Sequence, residues 1–199
     1  GWAGLGGGFP TFGLPGCVVP YYNDQRITEL VKEIRKEFPD CAITLSIGEK
    51  ERESYEAFKK AGADRYLLRH ETANEEHYGK LHPKELSLSH RIHCLETLKS
   101  LEYQTGAGFM TGSPGQTVET LIDDLEFLER LQPEMAGIGP FIPHHDTPFK
   151  EEPQGDLELT LYLLSLIRLL LPRVLLPATT ALGTIDPVSY THLTLPTIA

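Results

Sequence analysis

The sequence predicts an α/β protein built on a parallel sheet. Three observations carry this. Strand-like and helix-like apolar segments alternate along the chain, about five such pairs follow the first helix, and the connections after strands are long and polar. Right-handed crossovers then give either a partial or complete barrel or a doubly wound open sheet. The chain has 199 residues, enough for one domain with a real core.

Ile27, Leu30, Val31 and Ile34 fall at i, i+3, i+4 and i+7 and mark one face of the first helix. Residues 41–47 read as a short strand rich in β-branched side chains, closed by Gly48. Residues 49–61 read as a charged helix with Tyr55 and Phe58 inward and Gly62 as its stop. Residues 65–68 form the next strand. Residues 88–101 carry a helical stripe of Leu88, Ile92, Leu95 and Leu98. Residues 103–110 read as one strand, kept small by Gly106, Ala107 and Gly108. Residues 117–131 read as a helix with Leu121, Leu125 and Leu128 inward and acids in its first turns, where they complement the helix dipole. A strand over 135–139, a very apolar helix over 157–171 ended by Pro172, and a last strand over 174–177 complete the series. Residues 72–87 and 140–156 read as loops of a working face.

The ends read differently. Residues 1–20 are expected to be irregular and aberrant, 21–187 to form the domain, and 188–199 to be a non-native tail. Residues 189–197 resemble translated sequencing adapter found at the ends of unrelated proteins. The glycine run from Gly4 to Gly8 lacks a preceding strand and is no dinucleotide fingerprint.

A net charge of −10 argues against nucleic acid or anionic membrane as a general partner. The longest apolar run, 157–171, is too short and too polar to span a bilayer. No signal peptide is recognisable, and three scattered cysteines, Cys17, Cys41 and Cys94, read as small buried residues of a reducing, cytoplasmic protein without disulfides.

Chemistry concentrates after the strand at 65–68, where Arg69, His70, Glu71 and Thr72 follow an apolar core. Desolvated charge needs compensation, and in an α/β barrel the carboxyl ends of strands hold the chemistry. Thr44, Arg65, Arg69, Glu71, Arg91, Ile138, Thr179 and Thr180 also fall on or after predicted strands, or early in the following helix. They describe a pocket mouth for a ligand with a carboxylate, a ribose and a flat base: arginine binds carboxylates bidentately and an acid can hold vicinal ribose hydroxyls. The competing reading pairs Arg69 with Glu71 or Asp64 and merely neutralises a strand end. His144, His145 and Asp146 could ligate a metal, but adjacent histidines diverge and a solvated loop is the simpler reading. His90 and His93 share a helix face that reads as wet surface. No nucleophile elbow, P-loop or catalytic triad is present.

Four motifs occur in order. They are Arg69-His-Glu-Thr-Ala-Asn74; Thr105-Gly-Ala-Gly-Phe-Met-Thr-Gly-Ser-Pro-Gly-Gln-Thr117; Gly137-Ile-Gly-Pro-Phe-Ile-Pro-His144 followed by Asp146-Thr-Pro-Phe149; and Pro177-Ala-Thr-Thr-Ala-Leu-Gly-Thr184. Together, from about Tyr21 to Thr184, the chain resembles the HydE family, the radical SAM maturases of iron–iron hydrogenase. The resemblance implies a partial (β/α)8 TIM barrel of the radical SAM type, with the N-terminal strands and C-terminal closure missing. It implies S-adenosylmethionine and a 4Fe–4S cluster in the intact family, and radical chemistry on a small organometallic or amino-acid-derived substrate during assembly of the hydrogenase H-cluster. Other hydrogenase maturation proteins are the implied partners. Glu71 resembles the acid that holds the adenosyl ribose, Arg91 the arginine that meets the methionine carboxylate, and Ile138 a contact on the adenine side. Arg69, Thr44, Arg65, Thr179 and Thr180 would line an anion-rich substrate cavity.

Two departures accompany the resemblance. The family's three-cysteine cluster motif is absent, and its glycine–glutamate–aspartate turn is replaced by Pro15-Gly-Cys-Val-Val-Pro20. Without three thiolates this chain offers no cluster site, so it is expected to be an inactive fragment. Two alternatives stand beside the maturase: a methylornithine-synthase-like mutase of the same barrel type, which Thr179-Thr180 disfavours, and a non-catalytic barrel that binds an anionic metabolite.

Overall fold

The computed structural model describes residues 11–15 and 23–185. They divide into two compact units. One holds the described residues up to 68 together with 91–106, and the other holds 69–90 and 107–185.

The first unit carries four parallel strands in sequence order: β1 (Thr11–Pro15), β2 (Ala42–Ser46), β3 (Arg65–Leu67) and most of β4 (Gln104–Ala107). Between them run α1 (Asp24–Glu37) and α2 (Arg52–Ala61). α1 starts at Asn23, whose side chain accepts from the Arg26 amide at 3.0 Å. It buries Ile27 and Val31 and leaves Leu30 and Ile34 half-buried. α2 begins three residues later than expected and ends at Gly62 in a left-handed conformation. Its Tyr55 and Phe58 are fully buried, as the charged-helix reading requires.

The two faces of this sheet differ. Along β2, Ile43 and Leu45 are buried while Ala42, Thr44 and Ser46 are half-buried on the other face. Tyr66 shares the buried face and meets Tyr55 and Tyr103 edge-on, with ring centroids 5.1 and 6.0 Å apart. Every hydroxyl of the trio is used. Tyr66 donates to Gly48 O and Tyr103 to Tyr55 O, both at 2.7 Å, and Tyr55 accepts from the Lys50 amide at 2.9 Å.

The strand β1 corrects the expectation of irregular chain over residues 1–20, as far as residues 11–15 are concerned. It pairs in parallel register with β2 along its whole length, from Thr11 against Ala42 to Pro15 against Ser46. Proline is tolerated at a strand's end. Cys17 and the expected tail at 188–199 lie outside the described residues.

In the second unit come α3 (Glu75–Leu81), β5 (Met110–Thr111), α5 (Val118–Leu131), β6 (Met135–Ala136), β7 (Gly139–Pro140), α6 (Leu157–Leu170) and α7 (Thr180–Ile185). The helix α4 (Leu88–Ser100) matches its expected span within a residue. Several readings change here, among them the strand over 135–139, which splits into β6 and β7. The loop over 72–87 contains α3, capped by Asn74, whose Oδ1 accepts from the His77 amide at 3.0 Å. The strand over 103–110 breaks at Gly108 and Phe109 into β4 and β5, because Gly108 is pressed against the chain at Gly137: a Cβ there would lie 2.0 Å from Gly137 O. The strand over 174–177 reduces to a single bridge, Leu175 against Met135. The face of α5 also rotates. It buries Thr120, Asp124, Phe127, Leu128 and Leu131, with Leu121 and Leu125 only half-buried.

Candidate functional site

The chain leaves β3 at Leu67 and turns sharply at Glu71, whose backbone adopts φ 66°. A left-handed conformation is uncommon for a residue with a side chain and costs about 1 kcal/mol, so the surroundings must hold it. Two hydrogen bonds to one glycine do so. The Glu71 amide donates to Gly108 O at 3.0 Å, and the Gly108 amide donates to Nδ1 of the neighbouring His70 at 3.2 Å. The result aims the Glu71 carboxylate beside Arg69, with Oε2 3.5 Å from Arg69 Nη2. That oxygen is buried and accepts no hydrogen bond from the described residues. A buried carboxylate oxygen with one loose cation contact among the described residues is incomplete, and a ligand hydroxyl would complete it.

His70 and Asp124 are both fully buried behind this turn. His70 Nε2 lies 3.4 Å from Asp124 Oδ1, and the ring packs against Phe127 and Phe109 with centroids 4.8 and 5.8 Å away. Asp124 also accepts from the Ala73 amide at 2.5 Å, and Asp123 accepts from Asn74 Nδ2 at 2.8 Å. Two hydrogen bonds thus tie the turn to α5, while His70 Nε2 lies beside Asp124 without a hydrogen bond among the described residues. His77, on α3, is buried as well. Its Nε2 donates to Pro114 O at 3.2 Å and its Nδ1 accepts from the Thr72 hydroxyl at 3.1 Å. Burial pushes its pKa below the ordinary 6.5.

Other candidates in this unit lie further along the chain. Ile138 is buried between β6 and β7. Thr179 sits against Gly139, where a Cβ would come within 2.4 Å of its hydroxyl, and that hydroxyl accepts from the Leu182 amide at 3.4 Å. Thr180 opens α7 and is exposed.

In the first unit, Thr44 and Arg65 are register neighbours on β2 and β3. Arg65 donates to Gln104 Oε1 at 2.5 Å and reaches the Thr11 hydroxyl at 3.4 Å. It stands at the entry of β3, whereas Arg69 follows the exit. Arg91 pairs with Glu49, and both side chains are largely buried. The competing reading for Arg69 is correct on one point, since Glu71 is its partner. Asp64 belongs to Arg35 instead, at 2.5 Å.

Sequence reasoning missed Asp124 and His77. One signal was available for Asp124: Thr120, Asp124, Phe127, Leu128 and Leu131 repeat at helical spacing, so an acid stands in the buried stripe. His144, His145 and Asp146 come together on an exposed loop, with His145 Nε2 3.3 Å and His144 Nδ1 3.9 Å from Asp146 Oδ2. Cys41 and Cys94 are buried, and Cys94 donates to Lys50 O. Among the described residues no set of thiolates could hold an iron–sulfur cluster. No helix of the described residues is long and apolar enough to cross a membrane.

Comparison with known proteins decides the family. The model of the radical SAM superfamily matches residues 4–128. The chain belongs to the radical SAM superfamily. It is 56% identical over 168 residues to the [FeFe] hydrogenase maturase subunit HydE of Thermotoga maritima, covering 84% of this chain and 47% of that protein. It is 28% identical over 183 residues to 3-methylornithine synthase of Methanosarcina acetivorans, covering 91% of this chain and 51% of that protein. The crystal structure of methylornithine synthase superposes with a TM-score of 0.83 at 27% identity, covering 96% of this chain and 56% of that one. The chain spans about half the length of the curated relatives it matches. Its parallel α/β architecture is that of a partial TIM barrel of the radical SAM type.

Proposed function

We propose that this chain forms the S-adenosylmethionine-holding part of a HydE-like enzyme that assembles the hydrogenase H-cluster. The observation that carries the reading is Glu71: a buried carboxylate oxygen lacking a hydrogen bond, on a strained turn after a parallel strand. A pair of ribose hydroxyls supplies the donors this oxygen lacks. Arg69, beside it, offers its own donors to an anionic substrate.

The remaining roles are assigned within each unit. In the first, Arg91 meets the methionine carboxylate, exchanging Glu49 for the ligand, and Thr44 and Arg65 line the substrate side on the half-buried face of β2 and β3. In the second, Ile138 offers an apolar surface to the adenine, and Thr179 and Thr180 offer hydroxyls to the substrate. In the intact family a 4Fe–4S cluster would supply the electron that makes S-adenosylmethionine a source of radical chemistry. The described residues do not fit that cluster, so no step is assigned to this chain beyond binding and orienting. The substrate is a small organometallic or amino-acid-derived molecule, the partners are other maturation proteins, and the setting is the cytoplasm. Twice the identity to HydE as to methylornithine synthase favours the maturase over the mutase.

Calorimetric titration of S-adenosylmethionine into the full chain tests the reading. Glu71→Gln is expected to weaken binding about tenfold or more, the weight of a hydrogen bond to a charged group. Equal affinities would overturn it.

A further inference from the structure

The Glu71 turn is held by a polar chain that starts on α5, and this chain has no part in the reading above. Its geometry fixes a protonation pattern. The Gly108 amide donates to His70 Nδ1, so that nitrogen must present its lone pair and the ring proton must sit on Nε2. Nε2 lies 3.4 Å from Asp124 Oδ1, too poorly placed to make a hydrogen bond but with the carboxylate as its nearest charge, and that same oxygen accepts from the Ala73 amide at 2.5 Å. Gly108 is gripped from both sides. Its amide is held by His70 and its carbonyl by the Glu71 amide, while Gly137 closes the remaining space. Rotation of the His70 ring would remove the acceptor of the Gly108 amide, one of the contacts that hold this peptide against the left-handed backbone of Glu71.

Simple packing does not require this arrangement. A fully buried histidine and a fully buried aspartate are costly among Phe109 and Phe127, and an apolar pair of similar volume would fill the same space. What the polar pair adds is direction: a carboxylate beside Nε2 that favours a proton there, and a ring nitrogen that accepts from one peptide N–H.

We infer that Asp124 and His70 are positioning residues, a latch that holds Gly108 and thereby sets the Glu71 carboxylate for a ribose. The inference rests on the proposed ribose role of Glu71, and the test separates the two. The full chain is titrated with S-adenosylhomocysteine and with its 2′-deoxy analogue. The ratio of the two affinities reads Glu71 against the sugar, and in the wild type it is expected to be about tenfold.

In His70→Ala the ratio should fall close to one, with binding of the deoxy ligand within about twofold of wild type. His70→Asn places an acceptor near the Nδ1 position and should restore most of the ratio. A wild-type ratio in His70→Ala, or equal weakening of both ligands, would overturn the latch. Glu71→Gln is the control. If it leaves the ratio intact, the ribose reading fails, and if it collapses the ratio while His70→Ala does not, only the latch fails. Should His70→Ala not fold, Asp124→Asn decides, because it keeps the shape and removes the charge facing Nε2. Its ratio should drop several-fold, and a wild-type ratio would count against the latch. A long-range proton–nitrogen spectrum of the wild type gives a ligand-free check: His70 should carry its proton on Nε2, and a proton on Nδ1 would contradict the latch.

Discussion

The two ends of β3 handle charge in opposite ways. At its entry, Asp64 is engaged through its carboxylate and through both backbone groups. Its carboxylate accepts from Arg35 at 2.5 Å and from the Ile43 amide at 2.8 Å, its amide donates to Ile43 O, and its carbonyl accepts from the Gln104 amide. Arg35 in turn also binds the carbonyls of Pro39, Cys41 and Gly62. At the exit, Glu71 keeps one buried oxygen without a hydrogen bond and sits on strained backbone. The buried hydrogen-bonding groups at the entry are partnered within the protein, and the exit keeps a buried oxygen without a hydrogen bond. The contrast separates structural charge from charge held for a ligand, and it follows the rule that barrel chemistry sits at the carboxyl ends of strands.

The comparison can be broken most forcefully at the entry. Arg35→Ala strips one cation and four acceptors' partners, and should cost about 2 kcal/mol or more in urea unfolding. Ligand binding by the exit turn should not follow it. At the exit the signs reverse: Glu71→Gln should leave the unfolding midpoint unchanged or raise it slightly, while the adenosyl ligand binds about tenfold more weakly. A large loss of stability in Glu71→Gln would erase the distinction.

Two pH dependences sharpen it. The His77 pKa is lowered by burial, so the unfolded chain takes up a proton first as pH falls. Stability is complete above about pH 6.5 and declines below it, at most about 1.4 kcal/mol per pH unit, until the folded protein also protonates. His77→Gln should flatten this slope in denaturation series between pH 7 and pH 5. Asp24 gives the smallest effect. Burial raises its pKa, but hydrogen bonds from Lys50 and Ser54 and the Lys50 charge outweigh it, and the net shift is downward from 3.8. Its contribution is present above that value and fades as pH falls through the lower folded pKa. The group is partly exposed, so Asp24→Asn should change stability by only a few tenths of a kcal/mol at neutral pH.

Much of the fold was legible because most helices carry unambiguous stripes, such as Ile27 and Val31 on α1 or Leu95 and Leu98 on α4. The misses share a cause. The strand β1 contains glycine and proline, and its pairing with β2 is a long-range choice that local propensity does not record. The helix α3 buries only His77 and Tyr78, too few residues for a period, although Asn74 followed by Glu75 and Glu76 is a helix start in plain view. The break at Gly108 depends on Gly137, almost thirty residues away in sequence. At the site, Arg69 and Glu71 were legible from charge placed after a strand. Their support from His70 and Asp124 was not, because an acid inside an apolar stripe reads as an interruption until its partner is known.

The most direct test is a crystal structure of the chain with S-adenosylhomocysteine bound. The account predicts a ribose hydroxyl within hydrogen-bond distance of Glu71 Oε2, with His70 still accepting from Gly108. A ribose bound elsewhere, with the Glu71 carboxylate facing Arg69 alone, would contradict it.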